Sequence, residues 1–328
     1  MRDLYLNRAI AEATHKEMEL DPRVILLGED IINRGGGMST FLGVPQDFPD
    51  RCFDMPICEA GYTHFANGAA LAGLRPIVDL MFSDFASITF DAIVNGAAKF
   101  RFNSLGEVSV PAVYIAGNGG RGTYDGVGSG CNHSQCIEAW YMNVPGLKIV
   151  APYYPSDALG LMRSSIRDND PVLFLYHEGS LGVREKVEDE VVPIPLNNAA
   201  KIMREGSDIT IVAIQSMVPL AVKAVEELAA KGISAELIDP RVLVPFDHEK
   251  VLASVRKTGR LLIVQEAHTR GGFGSEILRL VAESCPQALK CPAKVLGALN
   301  APIASGFAEA YIMPHKEDIV SAAEAMLK

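Results

Sequence analysis

The sequence has no cluster of lysine or arginine, no close cysteine pair and no long apolar run, and each absence removes a class of function. Lys and Arg number 30 against 40 Asp and Glu, for a net charge of -10. A nucleic-acid groove or an anionic membrane surface needs clustered cations to neutralise phosphate, so neither partner is expected. The six cysteines (Cys52, Cys58, Cys131, Cys136, Cys285, Cys291) form loose pairs with four or five residues between them, not the spacing of zinc ribbons or redox pairs. They predict reduced, mostly buried thiols in a cytoplasmic protein. The opening MRDLYLNRAIAEATHKEMELD is charged from its second residue, unlike a secretory signal. No apolar run approaches the ~20 residues that cross a bilayer.

Nucleotide fingerprints are missing as well. Neither GxxxxGK[ST] nor GxGxxG between a strand and a helix occurs. The glycine-rich stretches NRGGGMST at 33–40 and GNGGRGTYDGVGSGCN at 117–132 therefore read either as surface loops or as loops that order over a ligand or partner. GGFG at 271–274 could bind an anion at a helix start, but a tight strand-to-helix turn is the simpler reading.

What the sequence does contain is alternation. Short apolar runs at VILLGED (24–30), Cys52–Met55, RPIVDLMF, PAVYIAG, LKIVAP and PVLFLY (171–176) read as buried strands. Between them lie helical stretches near Leu4–Leu20, from Gly61, over about 84–100 and over about 156–167. Strands that are apolar on both faces, alternating with helices, predict a parallel sheet covered on both sides. From ITIVAIQ at 209 the alternation resumes through SAELIDP, RLLIVQE and AKVLGA, with helices near 218–230, 248–257, 273–284 and from 316. The prediction is an α/β protein of two doubly wound domains, 1–180 and 206–328, joined by a charged, proline-containing linker at 181–205.

Several residues could carry chemistry. Glu59, in DMPICEAGYTHFANGAAL, ends a strand just before a helix whose first turns are Gly and Ala, which leaves room for a flat ligand beside a partly desolvated carboxyl. It suits an acid that shares a proton with a ring nitrogen, although a Glu at a helix start also serves as a cap or dipole partner. His133 follows the long glycine loop and could face a cleft, moving a proton near neutral pH, or could simply be structural. His64, on the helix after Glu59, is a weaker candidate. Glu29 and Asp30 end the first strand, where acids line sites or cap the next element. Phe82 and Phe85 flank a helix start, either as core or with one ring stacked on a planar cofactor.

In combination, GED at 28–30, DMPICEAGYTHFANGAALAGLRPIVDLMF, AAKFRF at 97–102, HSQCIEAW, VPGLKIVAPYYPSDALGLMRSSIRDNDPV and KTGRLLIVQEAHTRGGFGSEI resemble the beta subunit of the thiamine diphosphate-dependent first component of 2-oxo acid and acetoin dehydrogenase complexes. The motifs fall in order from about residue 4 to the end of the chain. The resemblance implies a transketolase-like pyrimidine-binding domain followed by a transketolase C-terminal domain. It implies that Glu59 hydrogen-bonds the pyrimidine ring nitrogen of thiamine diphosphate and promotes the imino form that removes the thiazolium C2 proton. By the same carry-over Phe85 lies beside the aminopyrimidine, Glu29 is a supporting acid near the cofactor, and His133 lies near the substrate or the incoming lipoyl group. Ser165, Asp168 and Asp170 fall where several relatives hold a structural potassium ion, although Asp170 stands in place of a frequent Asn.

In this family an alpha subunit supplies the diphosphate and Mg2+ site through a GDG motif, which this sequence lacks. The implied partners are thus an alpha subunit in an alpha2-beta2 heterotetramer, a lipoyl-bearing acyltransferase component and a small 2-oxo acid or hydroxyketone substrate. DLMFSDFAS leans toward the acetoin-cleaving members, while Asn143, where many members carry a His, and a 117–132 loop longer than a pyruvate-type subunit would have are departures from the family pattern. A split transketolase and a non-catalytic assembly subunit are the alternatives. The first would call for phosphate-binding basic residues and several histidines, which are scarce near these motifs, and retention of Glu59 and His133 speaks against the second.

Overall fold

The computed structural model describes residues 1–120 and 128–328, which divide into two compact units. The first comprises residues 1–118 and 140–196, the second residues 119–139 and 197–328. Part of the glycine-rich stretch, 121–127, lies outside the described residues.

Six strands of the first unit form a parallel sheet: β1 Val24–Gly28, β2 Cys52–Asp54, β3 Arg75–Phe82, β4 Val113–Asn118, β5 Lys148–Val150 and β6 Val172–His177. Their spatial order is β5-β6-β4-β3-β1-β2. β1, β4 and β6 are buried along their whole length, the pattern of a sheet with both faces covered. Its helices are α1 Leu6–Leu20, α2 Glu59–Leu71 and α3 Pro155–Arg167. α1 buries Leu6, Ala9, Ile10, Ala13 and Met18 on one stripe, as the 3.6-residue period requires. Glu17 lies in that same stripe and is accommodated because α3 brings two guanidinium groups to it. Arg163 Nε donates to it at 2.8 Å, and Arg167 Nε and a terminal nitrogen at 2.7 and 2.9 Å. α3 itself begins with Pro155 in its first turn, where the missing N–H costs nothing.

The second unit has a five-stranded sheet of β7 Lys201–Arg204, β8 Ile209–Ala213, β9 Ala235–Asp239, β10 Leu261–His268 and β11 Lys294–Ala298, in the order β7-β9-β8-β10-β11. Only β7 runs antiparallel to its neighbour in that sheet. Helices α4 Met217–Ala230, α5 His248–Thr258, α6 Phe273–Ser284 and α7 Lys316–Leu327 complete it. At the start of α6, Gly274 N–H donates to Gln265 Oε1 at 2.7 Å, so GGFG is a tight strand-to-helix turn whose amide is already engaged.

Three expectations are corrected. The stretch 84–100 is not one helix but a 3-10 turn at Ser83–Ser87, a short helix Phe90–Val94 and further turns. The Asn67 side chain captures the Ala92 carbonyl at 2.7 Å, and the amides of Gly96 and Ala98 reach back five residues instead of four, which ends the helical ladder. Residues 181–205 are not a free linker: Arg184–Val187 pairs antiparallel with Arg2–Tyr5, and Ile194 N–H donates to Gly160 O at 3.0 Å. Of the six cysteines only Cys52 and Cys285 are buried, Cys58 and Cys131 being exposed and the others half-buried.

Of the residues that the sequence places in the first domain, 119–120 and 128–139 group with the second unit. Gly120 N–H donates to Glu266 Oε1 at 2.7 Å, and Gly128–Ser129 forms a two-stranded ribbon with Ser305–Gly306. No helix among the described residues is long and apolar enough to cross a membrane.

Candidate active site

In the first unit the carboxyl ends of β1 and β3 and the start of α2 gather a set of acids. Glu59 is the first residue of α2, and its side chain is only 8% exposed. A cap would show hydrogen bonds to the free amides of the first turn, yet among the described residues the Glu59 carboxyl has no hydrogen-bond partner. Its oxygens are therefore available to a ligand at the start of the helix. Glu29 follows β1, half-buried. Burial, followed by the neighbouring charges of Glu59 and Asp30, pushes its carboxyl above the usual carboxylate range.

Sequence reasoning gave no role to two further members. Asp79, on β3 beside Gly28 of β1, is 1% exposed. Burial pushes its carboxyl up to about 7, with the charge of Glu29 adding to the effect and the bond from Met81 N–H opposing it. Tyr62, one turn into α2, donates its hydroxyl to the Asp79 carbonyl at 3.2 Å. Burial first, then the charges of Glu29, Asp79 and Glu59, raise the Tyr62 hydroxyl far above its ordinary value. The signal for Asp79 was present in RPIVDLMF, since an acid inside an otherwise apolar buried strand is costly to keep.

The triplet Gly35-Gly36-Gly37 packs over this cluster. Gly36 holds φ +84, and a Cβ there would come within 2.3 Å of Asp79 Oδ2, while one on Gly37 would meet the Met81 side chain. The first glycine stretch is thus a close-packed lining. Phe85 is half-buried in the turn after β3 and meets Phe82 edge to face, with ring centroids 5.8 Å apart.

The other predicted residues lie elsewhere. His133 belongs to the second unit, where with Ser129–Asn132 it lines one side of a cavity of about 580 Å³ whose other side is Pro302–Ser305 and Ala308. Its backbone N–H donates to Gly130 O at 3.1 Å, holding the turn that presents the imidazole. His64 is on the exposed face of α2, 3.7 Å from Asp91, and joins no site. Asp30 is exposed and faces Arg34.

Around Ser165, Asp168 and Asp170 the side-chain charge is met within the chain. Lys148 Nζ lies 2.7 and 2.6 Å from the two Asp168 oxygens and 3.5 Å from Asp170, which also binds Arg101, and the Ser165 carbonyl accepts Asp168 N–H at 3.2 Å. Among the described residues no group of three or more His, Cys, Asp or Glu is placed to hold a metal ion.

Residues 3–183 match the model of the transketolase pyrimidine binding domain, and residues 198–319 that of the transketolase C-terminal domain. The chain belongs to the transketolase family. Its transketolase-type domains cover nearly all of it, and several relatives align over the same span. The chain is 39% identical to a beta-1 subunit of the pyruvate dehydrogenase E1 component from Arabidopsis thaliana, over 98% of this chain and 89% of that protein. It is 38% identical to the beta subunit of an acetoin:2,6-dichlorophenolindophenol oxidoreductase from Cupriavidus necator, over 100% and 98%. A 2-oxoisovalerate dehydrogenase beta 2 subunit from Arabidopsis thaliana is 40% identical over 98% and 88%. Among solved structures, a split gene transketolase described as an inactive beta4 tetramer superposes with a TM-score of 0.79 at 24% identity, over 99% of this chain and 98% of that one, which shows the shared transketolase-type fold.

Proposed function

We propose that this chain is the beta subunit of a thiamine diphosphate-dependent dehydrogenase acting on a 2-oxo acid or acetoin, and that it carries the residues that control the cofactor's protonation. The observation that carries this reading is Glu59, a buried carboxyl at a helix N-terminus without a hydrogen-bond partner among the described residues, in a chain of the transketolase family. The residues fit the pyrimidine end of the group, with a carboxylate acceptor at the start of a helix, small residues beside it and an aromatic ring at Phe85. Thiamine diphosphate, when bound, supplies the nucleophilic carbon that attacks the substrate carbonyl.

The chain's own residues act around that chemistry. Glu59 holds a proton in common with the pyrimidine ring nitrogen. Glu29, its carboxyl raised above the usual carboxylate range by burial and then by the charges of Glu59 and Asp30, is a supporting acid beside Glu59. Phe85 offers a ring to the flat aminopyrimidine. His133, held half-buried at its cavity, orients the substrate oxygen or the acceptor lipoyl group and moves its proton.

An alpha subunit supplies the diphosphate end and Mg2+, since this sequence has no GDG motif, and the assembled heterotetramer passes its acyl group to a lipoyl-bearing acyltransferase. At the Ser165, Asp168 and Asp170 corner, where several relatives hold a potassium ion, the carboxylates pair with Lys148 and Arg101. The stretch DLMFSDFAS favours acetoin or another small hydroxyketone as substrate. Dye-linked oxidation of pyruvate, branched-chain 2-oxo acids and acetoin by the alpha–beta pair tests the assignment: turnover of one of these, dependent on thiamine diphosphate, is expected. Failure with all three in a correctly assembled pair contradicts it.

A further inference from the structure

Asp79 has no part in the function proposed above, yet it touches every element that carries the first unit's proposed residues. Its strand register sets it opposite Gly28, the residue before Glu29. Its carbonyl takes the hydroxyl of Tyr62, on the helix that Glu59 opens. Its Oδ1 accepts Met81 N–H at 3.0 Å.

Met81 is held at φ +57, in the left-handed region, and the pairing of β3 with β4 slips between Asp79 and Phe82. The Asp79 side chain therefore closes a β-bulge, and the bulge turns the chain out of β3 into Ser83–Ser87, where Phe85 lies. A non-glycine side chain is disfavoured in the left-handed region, and the bond to Asp79 offsets that cost. The second oxygen, Oδ2, has no partner among the described residues and is pressed against Gly36. An acid kept in a dry strand with half its hydrogen-bonding capacity unused is retained for the bond its other oxygen makes.

We propose that Asp79 is a positioning residue of the pyrimidine site: by clamping the Met81 bulge it fixes where the following turn presents Phe85, and through Gly28 and Tyr62 it ties that turn to Glu29 and Glu59. The inference rests on the function proposed above and is tested by calorimetric titration of thiamine diphosphate into the assembled alpha–beta protein, which reads binding without turnover. Asp79→Ala should weaken binding about tenfold, the equivalent of the lost bulge restraint, while kcat at saturating cofactor falls less than about threefold. Asp79→Asn keeps an oxygen for Met81 N–H and should restore binding to within about twofold. A general packing defect would depress kcat and binding together and would not be repaired by Asn.

If Asp79→Ala fails to assemble, the Met81→Gly background provides the test, because glycine adopts φ +57 without a clamp. There Asp79→Ala should bind within about threefold of Met81→Gly alone, and a further loss of about tenfold overturns the proposal. Binding by Asp79→Ala equal to that of the unsubstituted protein also overturns it. Absence of binding by the unsubstituted assembly contradicts the parent function instead, so the two failures are told apart.

Discussion

At the scale of single residues, two carboxyls illustrate what a sequence conceals. Glu59 was visible as a helix-start acid, and composition alone could not separate a cap from a ligand-facing group. The structure shows it buried and without a cap bond, which is what the proposed ligand-facing role requires. Asp79 stood in plain sight inside a motif, but its role depends on a backbone bulge and a glycine lining that no spacing rule encodes. Its titration gives a prediction. The folded chain keeps the Asp79 proton up to about pH 7, whereas an unfolded Asp releases it near pH 4, so the folded state binds the extra proton in between. Asp79's contribution to stability therefore falls as pH rises through that window, by on the order of 1 kcal/mol per pH unit. Asp79→Asn should flatten the stability profile measured by urea unfolding between about pH 4 and pH 7. An unchanged slope would show that Asp79 does not titrate there.

At the scale of elements, the strands were legible because apolar runs bounded by turns leave few other readings, and α1 and α3 because their buried stripes follow the helical period. What joins α1 to α3 was not legible. Glu17 falls in the apolar stripe of α1, and only the packed structure shows Arg163 and Arg167 meeting it. Glu17→Ala leaves the largely buried Arg163 unpaired and should destabilise the chain by about 3–5 kcal/mol, read as a lowered urea midpoint. A loss under about 1 kcal/mol would mean the pair behaves as a surface bridge. The broken helix after β3 was misread for a similar reason, since the carbonyl that ends it is taken by Asn67 from another element. Gly36→Ala should cost at least about 2 kcal/mol, because a left-handed φ and the Asp79 carboxyl both oppose a Cβ, and thermal unfolding of the purified variant checks it.

At the scale of the whole molecule, the two-domain α/β plan followed from alternation, while the grouping of residues 119–120 and 128–139 with the second unit did not, because the long-range pairing of 128–129 with 305–306 leaves no local trace. The proposed function likewise joins local and distant parts: in it the chain would carry the acid for the pyrimidine and a second polypeptide would hold the diphosphate. The purified chain alone should therefore show no thiamine diphosphate-dependent oxidation, and addition of the alpha subunit should restore it. Turnover by the isolated chain would contradict the division of labour. The most direct test of the central claim is hydrogen–deuterium exchange at C2 of thiamine diphosphate bound to the assembled alpha–beta protein. Glu59→Gln should leave assembly intact and slow that exchange by about two orders of magnitude or more, as expected when a proton-sharing acid is lost, whereas exchange at the unsubstituted rate would show that Glu59 does not control the cofactor.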